Sequence, residues 1–156
     1  MTNFPSKTTA TQDVPQWQRV ALLVAALQCL IWGVFILALP ERSSIVYGLA
    51  KVPMELFLWQ GTGLVIFLFG VGYAIAATNP RQHWSVLLIG LIAKILGPVG
   101  MLWSVIQGDV PPQVLYLIPI NDLIWWLPFT MILRDAFMHH RGEDSSALDP
   151  VSTTRP

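Results

Sequence analysis

Long apolar stretches broken by short polar ones set the pattern of this chain. Apolar runs occupy about 20–40, 54–78, 84–106 and 114–133. Each is long enough for a helix across a bilayer, which takes about 20 residues at ~1.5 Å rise per residue. The pattern predicts an all-α fold, an integral membrane four-helix bundle in a single domain over 17–135. Residues 1–16 are polar, with Thr2, Ser6, Thr8, Thr9 and Thr11, and are expected to form a disordered tail. Residues 136–156 turn polar after Arg134 and end in Ser, Thr and Pro, so a second disordered tail is expected there. The first apolar run starts at Val20, too late for a secretory signal, and suits a span with Trp17 and Arg19 at the interface.

The punctuation between runs is equally readable. Pro40-Glu41-Arg42 closes the first span, and Ile45, Val46, Tyr47 and Leu49 in the next connection predict a short helix or loop at the interface. Pro53 falls near the first turn of the second span, and Glu55 at its N-terminus, where the helix dipole favours a carboxylate. Asn79-Pro80-Arg81-Gln82-His83 makes a tight polar turn, and Gly108-Asp109-Val110-Pro111-Pro112 makes the next.

Composition agrees with the pattern. Charged residues are 12% of the chain, about half the usual ~25%, and the mean hydropathy is +0.57. The net charge of zero leaves no electrostatic footprint for nucleic acid. The one cysteine, Cys29, excludes an intramolecular disulfide and a cysteine-based zinc cluster. With the N-terminus inside, Lys7, Arg19, Arg81, Arg134, Arg141 and Arg155 lie in the cytoplasm, against Arg42 and Lys51 outside. The positive-inside rule therefore places both termini in the cytoplasm.

Two ionisable groups interrupt the runs. Lys94 lies roughly 15 Å into the third span, and Asp122 roughly 12 Å from the outer end of the fourth. A carboxylate at such depth costs at least ~2.5 kcal/mol unless paired or hydrated. Helices joined by a short turn are antiparallel neighbours, so the two groups are offset by only about 6 Å, within reach of a lysine stem. The expectation is a Lys94–Asp122 contact with Asn121 adding a hydrogen bond. It serves either as an ion pair fixing helix register or as a site that binds a ligand or moves a proton.

Gln28, Gln60 and Glu55 are the other polar groups projecting from the spans. Facing one interior, Gln28, Gln60, Lys94, Asn121 and Asp122 would line a polar pocket, with Trp32, Trp59, Trp103, Trp125 and Trp126 as aromatic walls. The plain alternatives are helix–helix hydrogen bonds for the glutamines, a cap role for Glu55, and a tryptophan belt at the interfaces. Gly97 and Pro98 follow Lys94 by one turn, and Pro98 removes the bond to the Lys94 carbonyl, predicting a kink. Pro119 and Pro128 bracket Asn121-Asp122, so the fourth span is expected to be irregular. Gly61, Gly63, Gly70 and Gly72, with Ala74 and Ala77, provide small-residue stripes for close helix packing, and with them an expected homo-oligomer or partner membrane protein. His83, His139 and His140 lie outside the spans and are read as solvated, so no metal site is assigned; the cofactor is left unknown.

The strings Trp59-Gln60-Gly61, Gly70-Val71-Gly72-Tyr73-Ala74-Ile75-Ala76-Ala77, Ala93-Lys94-Ile95-Leu96-Gly97-Pro98 and Asn121-Asp122-Leu123-Ile124-Trp125-Trp126-Leu127-Pro128-Phe129 carry a resemblance. Over roughly 20–135 the chain resembles a family of small four-span bacterial membrane proteins of unassigned activity, often labelled alkyl hydroperoxide reductase. The resemblance implies a bacterial inner membrane protein. The label is disfavoured by the residues, because a thiol peroxidase needs an activated cysteine, usually with a resolving partner, and Cys29 is alone in a span. The leading expectation is a non-enzymatic membrane protein that binds a small hydrophobic or amphipathic ligand or serves as an accessory subunit. The alternatives are a membrane enzyme or redox component acting on lipid or quinone, and a small transporter or proton pathway.

Overall fold

A computed structural model describes residues 14–47 and 56–147, the last of these (142–147) as backbone only. The described residues are helical, without strands. Four helices are long and apolar enough to cross a membrane. α1 spans Gln16–Ala38, α2 Pro40–Val46, α3 Leu56–Ala76, α4 Trp84–Gln107 and α5 Ile124–Ala147. A 3₁₀ turn at Pro112–Tyr116 and a π-helical turn at Pro119–Leu123 lead into α5. Glu55 lies outside the described residues, as do 1–13, 48–54 and 148–156.

The bundle runs up and down, and small residues decide which helices touch. α1 and α3 form the closest pair. A Cβ added to Gly33 would fall 2.7 Å from the Phe67 backbone nitrogen, and one on Gly63 would fall 2.6 Å from an Ile36 methyl. Gly70 meets Leu30 in the same way. Gly63 and Gly70 of α3 are therefore packed inside the chain, against α1, while a Cβ on Gly61 would meet nothing within 4 Å. Close backbone approach of this kind maximises van der Waals contact where water supplies no hydrophobic drive.

α3 and α4 touch near the turn that joins them, where the Tyr73 ring lies on Gly90 and Gly72 faces Val86. The turn itself is held by Asn79, whose side-chain oxygen accepts from the Gln82 amide at 3.3 Å. Around this end the core closes: Leu22, Ala25 and Ala26 of α1, Ala76 of α3, Leu87 of α4, and Phe129 and Ile132 of α5 are all buried. Tyr73 meets Phe129 edge-on at 5.0 Å. α4 ends at Gly108, whose φ of 81° is the left-handed conformation that favours glycine.

One expectation needs correction. The chain after 135 is not a disordered tail from 136 onward, because α5 continues to Ala147. The Arg134-Asp135 charges read as the end of a span, but the helix has reasons to go on. Asp135 Oδ2 sits 3.1 Å from Arg81 Nε and accepts from Gln18 Nε2 at 3.2 Å. Ala136 is buried, and Phe137 packs on Trp84 with ring centres 5.0 Å apart. These contacts tie α1, the α3–α4 turn and α5 together at the closed end.

Candidate functional site

Away from that end, α3 and α4 diverge. Between them, backed by α1 and the π-helical turn, lies a cavity of about 310 Å³, at the small end of the ~300–1,000 Å³ usual for ligand pockets. Its depth is lined by buried Cys29, Tyr73 and Leu117. Thr62 and Val65 of α3 and Gly97 of α4 also line it and are exposed, so its mouth is the gap between these two helices. The walls are mostly apolar or aromatic: Trp32, Tyr47, Ile66, Phe69, Met101 and Ile118.

The polar end is built by irregular backbone. Lys94 Nζ lies 3.5 Å from Asp122 Oδ1 and also donates to the Asn121 carbonyl, with side chains 12% and 22% exposed for Lys94 and Asp122. Gln28 donates through Nε2 to the Ile120 carbonyl (3.0 Å) and to Asn121 Oδ1 (3.1 Å). Its Oε1 accepts from Trp125 Nε1 at 2.7 Å. A π-helical turn leaves carbonyls outside the regular i−4 ladder. Here the Ile120 and Asn121 carbonyls are taken by side-chain donors from α1 and α4.

Pro98 works in the same manner on α4. The helix continues through it, and the Lys94 carbonyl that Pro98 deprives of its amide accepts instead from Trp126 Nε1 at 3.1 Å. That carbonyl is therefore engaged by this chain's own indole and is not left open for a ligand.

Of the residues singled out from the sequence, Gln28, Trp32, Lys94, Asn121 and Asp122 converge on the cavity, and Gly97 forms part of its rim. Others do not. Trp59 donates to Ser43 Oγ at 2.9 Å, and Gln60 donates to the Leu37 carbonyl at 3.1 Å; both tie α3 to the α1–α2 corner. Trp125 is sealed in the core rather than standing as a wall, and Trp103 faces outward. Pro128 lies within α5 and Pro119 opens the π-helical turn.

Cys29, Tyr47, Thr62, Phe69 and Tyr73 line the cavity without having been expected there. A tyrosine and a cysteine embedded in aliphatic runs look like packing residues; only their placement on the stripes that carry Gly33 and Gly70 could have hinted at the interior. Tyr47 stacks edge-on against both Trp32 (5.8 Å) and Trp59 (5.0 Å), and roofs the cavity from the α1–α3 connection. Burial, with the Asp122 charge second, pushes its phenol up to about 12. Tyr47 is therefore a neutral hydroxyl throughout the physiological range. No family model, curated protein or solved structure matches the chain.

Proposed function

We propose that this is a four-span integral membrane protein that binds a small hydrophobic or amphipathic molecule in the cavity between α1, α3, α4 and the π-helical turn. We place both termini in the cytoplasm of a bacterial inner membrane, on the distribution of basic residues and the family resemblance. Membrane embedding is supported by what the helices expose. Leu27 and Ile31 of α1, Phe57 and Leu64 of α3, Leu96 and Ile106 of α4, and Leu127 of α5 are each about half or more exposed. An apolar surface of that extent on a lone chain calls for a non-aqueous surround.

The observation that carries the binding reading is the cavity itself. It is apolar and aromatic along its length, polar at one end, and its rim lies on the outward faces of α3 and α4. In a bilayer such a mouth opens to the acyl chains, so the ligand enters sideways from the lipid. The same arrangement argues against Lys94–Asp122 acting as register pin alone, because a register pin needs no cavity beside it.

Trp32 lines the cavity and provides the readout. Protein in mild detergent or nanodiscs is titrated with 10-bromodecanol, whose bromine quenches indole fluorescence on contact. A saturable quenching component that disappears in Trp32→Phe supports the proposal. Quenching that rises linearly with probe, equal in both proteins, refutes it.

A further inference from the structure

We infer that the cavity selects a neutral head group, a hydroxyl or carbonyl carried on an apolar chain, and rejects fatty-acid and other anionic amphiphiles. This deepens the binding reading and rests on it.

Most polar groups at the polar end of the cavity are already engaged by the chain itself. Gln28 is fully used: Nε2 serves Ile120 and Asn121, and Oε1 takes the Trp125 proton. Asn121 is used through both its carbonyl and its side-chain oxygen. Lys94 gives protons to Asn121 and faces Asp122, which leaves one of its three ammonium protons. Tyr73 is 1% exposed and lines the cavity. Its hydroxyl lies against Gly90, one helical turn before Lys94.

The third Lys94 proton and the Asn121 side-chain amide protons therefore remain to meet an oxygen acceptor. The second Asp122 oxygen can take a proton from that same group if it is a hydroxyl.

Charge then decides the class. Lys94 and Asp122 compensate each other at 3.5 Å. An anionic head would bring a second negative charge against the Asp122 carboxylate in a site of low dielectric, and a cationic head would do the same against Lys94. Only a neutral head leaves the pair undisturbed while accepting from the Lys94 ammonium. Phe69 and Tyr47 supply the apolar and aromatic surfaces for the remainder of the molecule.

Two probes with the same tail separate head from tail: 10-bromodecanol and 10-bromodecanoate, titrated at pH 9, where the acid is ionised, with the Trp32-dependent quenching as readout. The expected result is that the alcohol binds at least about tenfold more tightly than the carboxylate, one factor of ten being ~1.4 kcal/mol. Asp122→Asn leaves Lys94 uncompensated and is expected to reverse the order, the carboxylate gaining at least about tenfold. The comparison on the unaltered protein needs no variant, so the test holds even if Asp122→Asn does not fold. Equal binding of the two probes to the unaltered protein, or preference for the carboxylate, overturns the inference while leaving the binding reading in place. Trp32-dependent quenching by neither probe overturns both.

Discussion

Lys94 and Asp122 offer the sharpest perturbation, a double-mutant cycle with Lys94→Met and Asp122→Asn. At the observed 3.5 Å and an effective dielectric of about 20, the gross attraction is about 5 kcal/mol. Desolvation of both groups offsets most of that, so the pair adds little over a well-packed apolar replacement. Removing one partner is a different matter, because it strands the other in a part-buried site. Lys94→Met strands the Asp122 carboxylate and also strips the Asn121 carbonyl of its donor, and is expected to cost about 3–5 kcal/mol. Asp122→Asn leaves the ammonium bound to the Asn121 carbonyl and is expected to cost less, about 2–3 kcal/mol. The double variant is expected to be more stable than the sum of the singles implies by about 2 kcal/mol, inside the range for coupled neighbours. Equilibrium unfolding in mixed detergent and SDS, followed by circular dichroism, measures all four corners. Strict additivity, within about 0.5 kcal/mol, would refute the coupling on which this reasoning depends.

The α1–α3 seam makes a second prediction: Gly33→Ala, whose new methyl meets Phe67 backbone at 2.7 Å, should cost about 1–3 kcal/mol in the same assay, while Gly61→Ala, with nothing within 4 Å, should cost nothing measurable. Trp126→Phe returns the Lys94 carbonyl to its unpaired state beside Pro98 and should cost about 1 kcal/mol. Hydrogen exchange should show amides 137–141 protected as part of α5; free exchange there would contradict the helical extension. Tyr47 has a folded pKa of about 12 above an ordinary value near ~10. The neutral phenol's contribution is fully present below pH ~10 and lost as pH rises toward ~12, roughly 2–3 kcal/mol, and Tyr47→Phe should remove that part of the alkaline destabilisation.

Axial position was legible in the sequence and azimuth was not. The depth of a residue follows from its count along a helix, and antiparallel neighbours turn two counts into an offset. This is why Lys94 and Asp122 meet as the spacing predicts. Which way a residue faces depends on how the helices rotate against one another, and that is set by the glycine seam. Packing of Gly33, Gly63 and Gly70 turns Gln60 toward the Leu37 carbonyl and Trp59 toward Ser43, both away from the cavity. The same seam brings Cys29 and Tyr73 to the interior, where their surroundings in the sequence mark them only as more apolar chain. The extent of α5 was hidden for a related reason. Arg134 and Asp135 look like an interface boundary until Arg81, a partner from the distant α3–α4 turn, is placed beside Asp135. The irregular entry to α5 was readable because proline states its backbone consequence locally, and Pro119 does so here.

The most direct measurement is native mass spectrometry of protein extracted from its own membrane in mild detergent, with an absorption spectrum of the same sample, beside a Gly97→Trp variant. Gly97 lines the cavity and a Cβ there meets nothing within 4 Å, so an indole can occupy the mouth without disturbing the helix seam. The expected result is a co-purifying small molecule, neutral and lipid-soluble, on the unaltered protein and missing from the variant. Unaltered protein that is free of any small molecule, or an adduct that persists with the mouth filled, would contradict the claim that this cavity is a binding site.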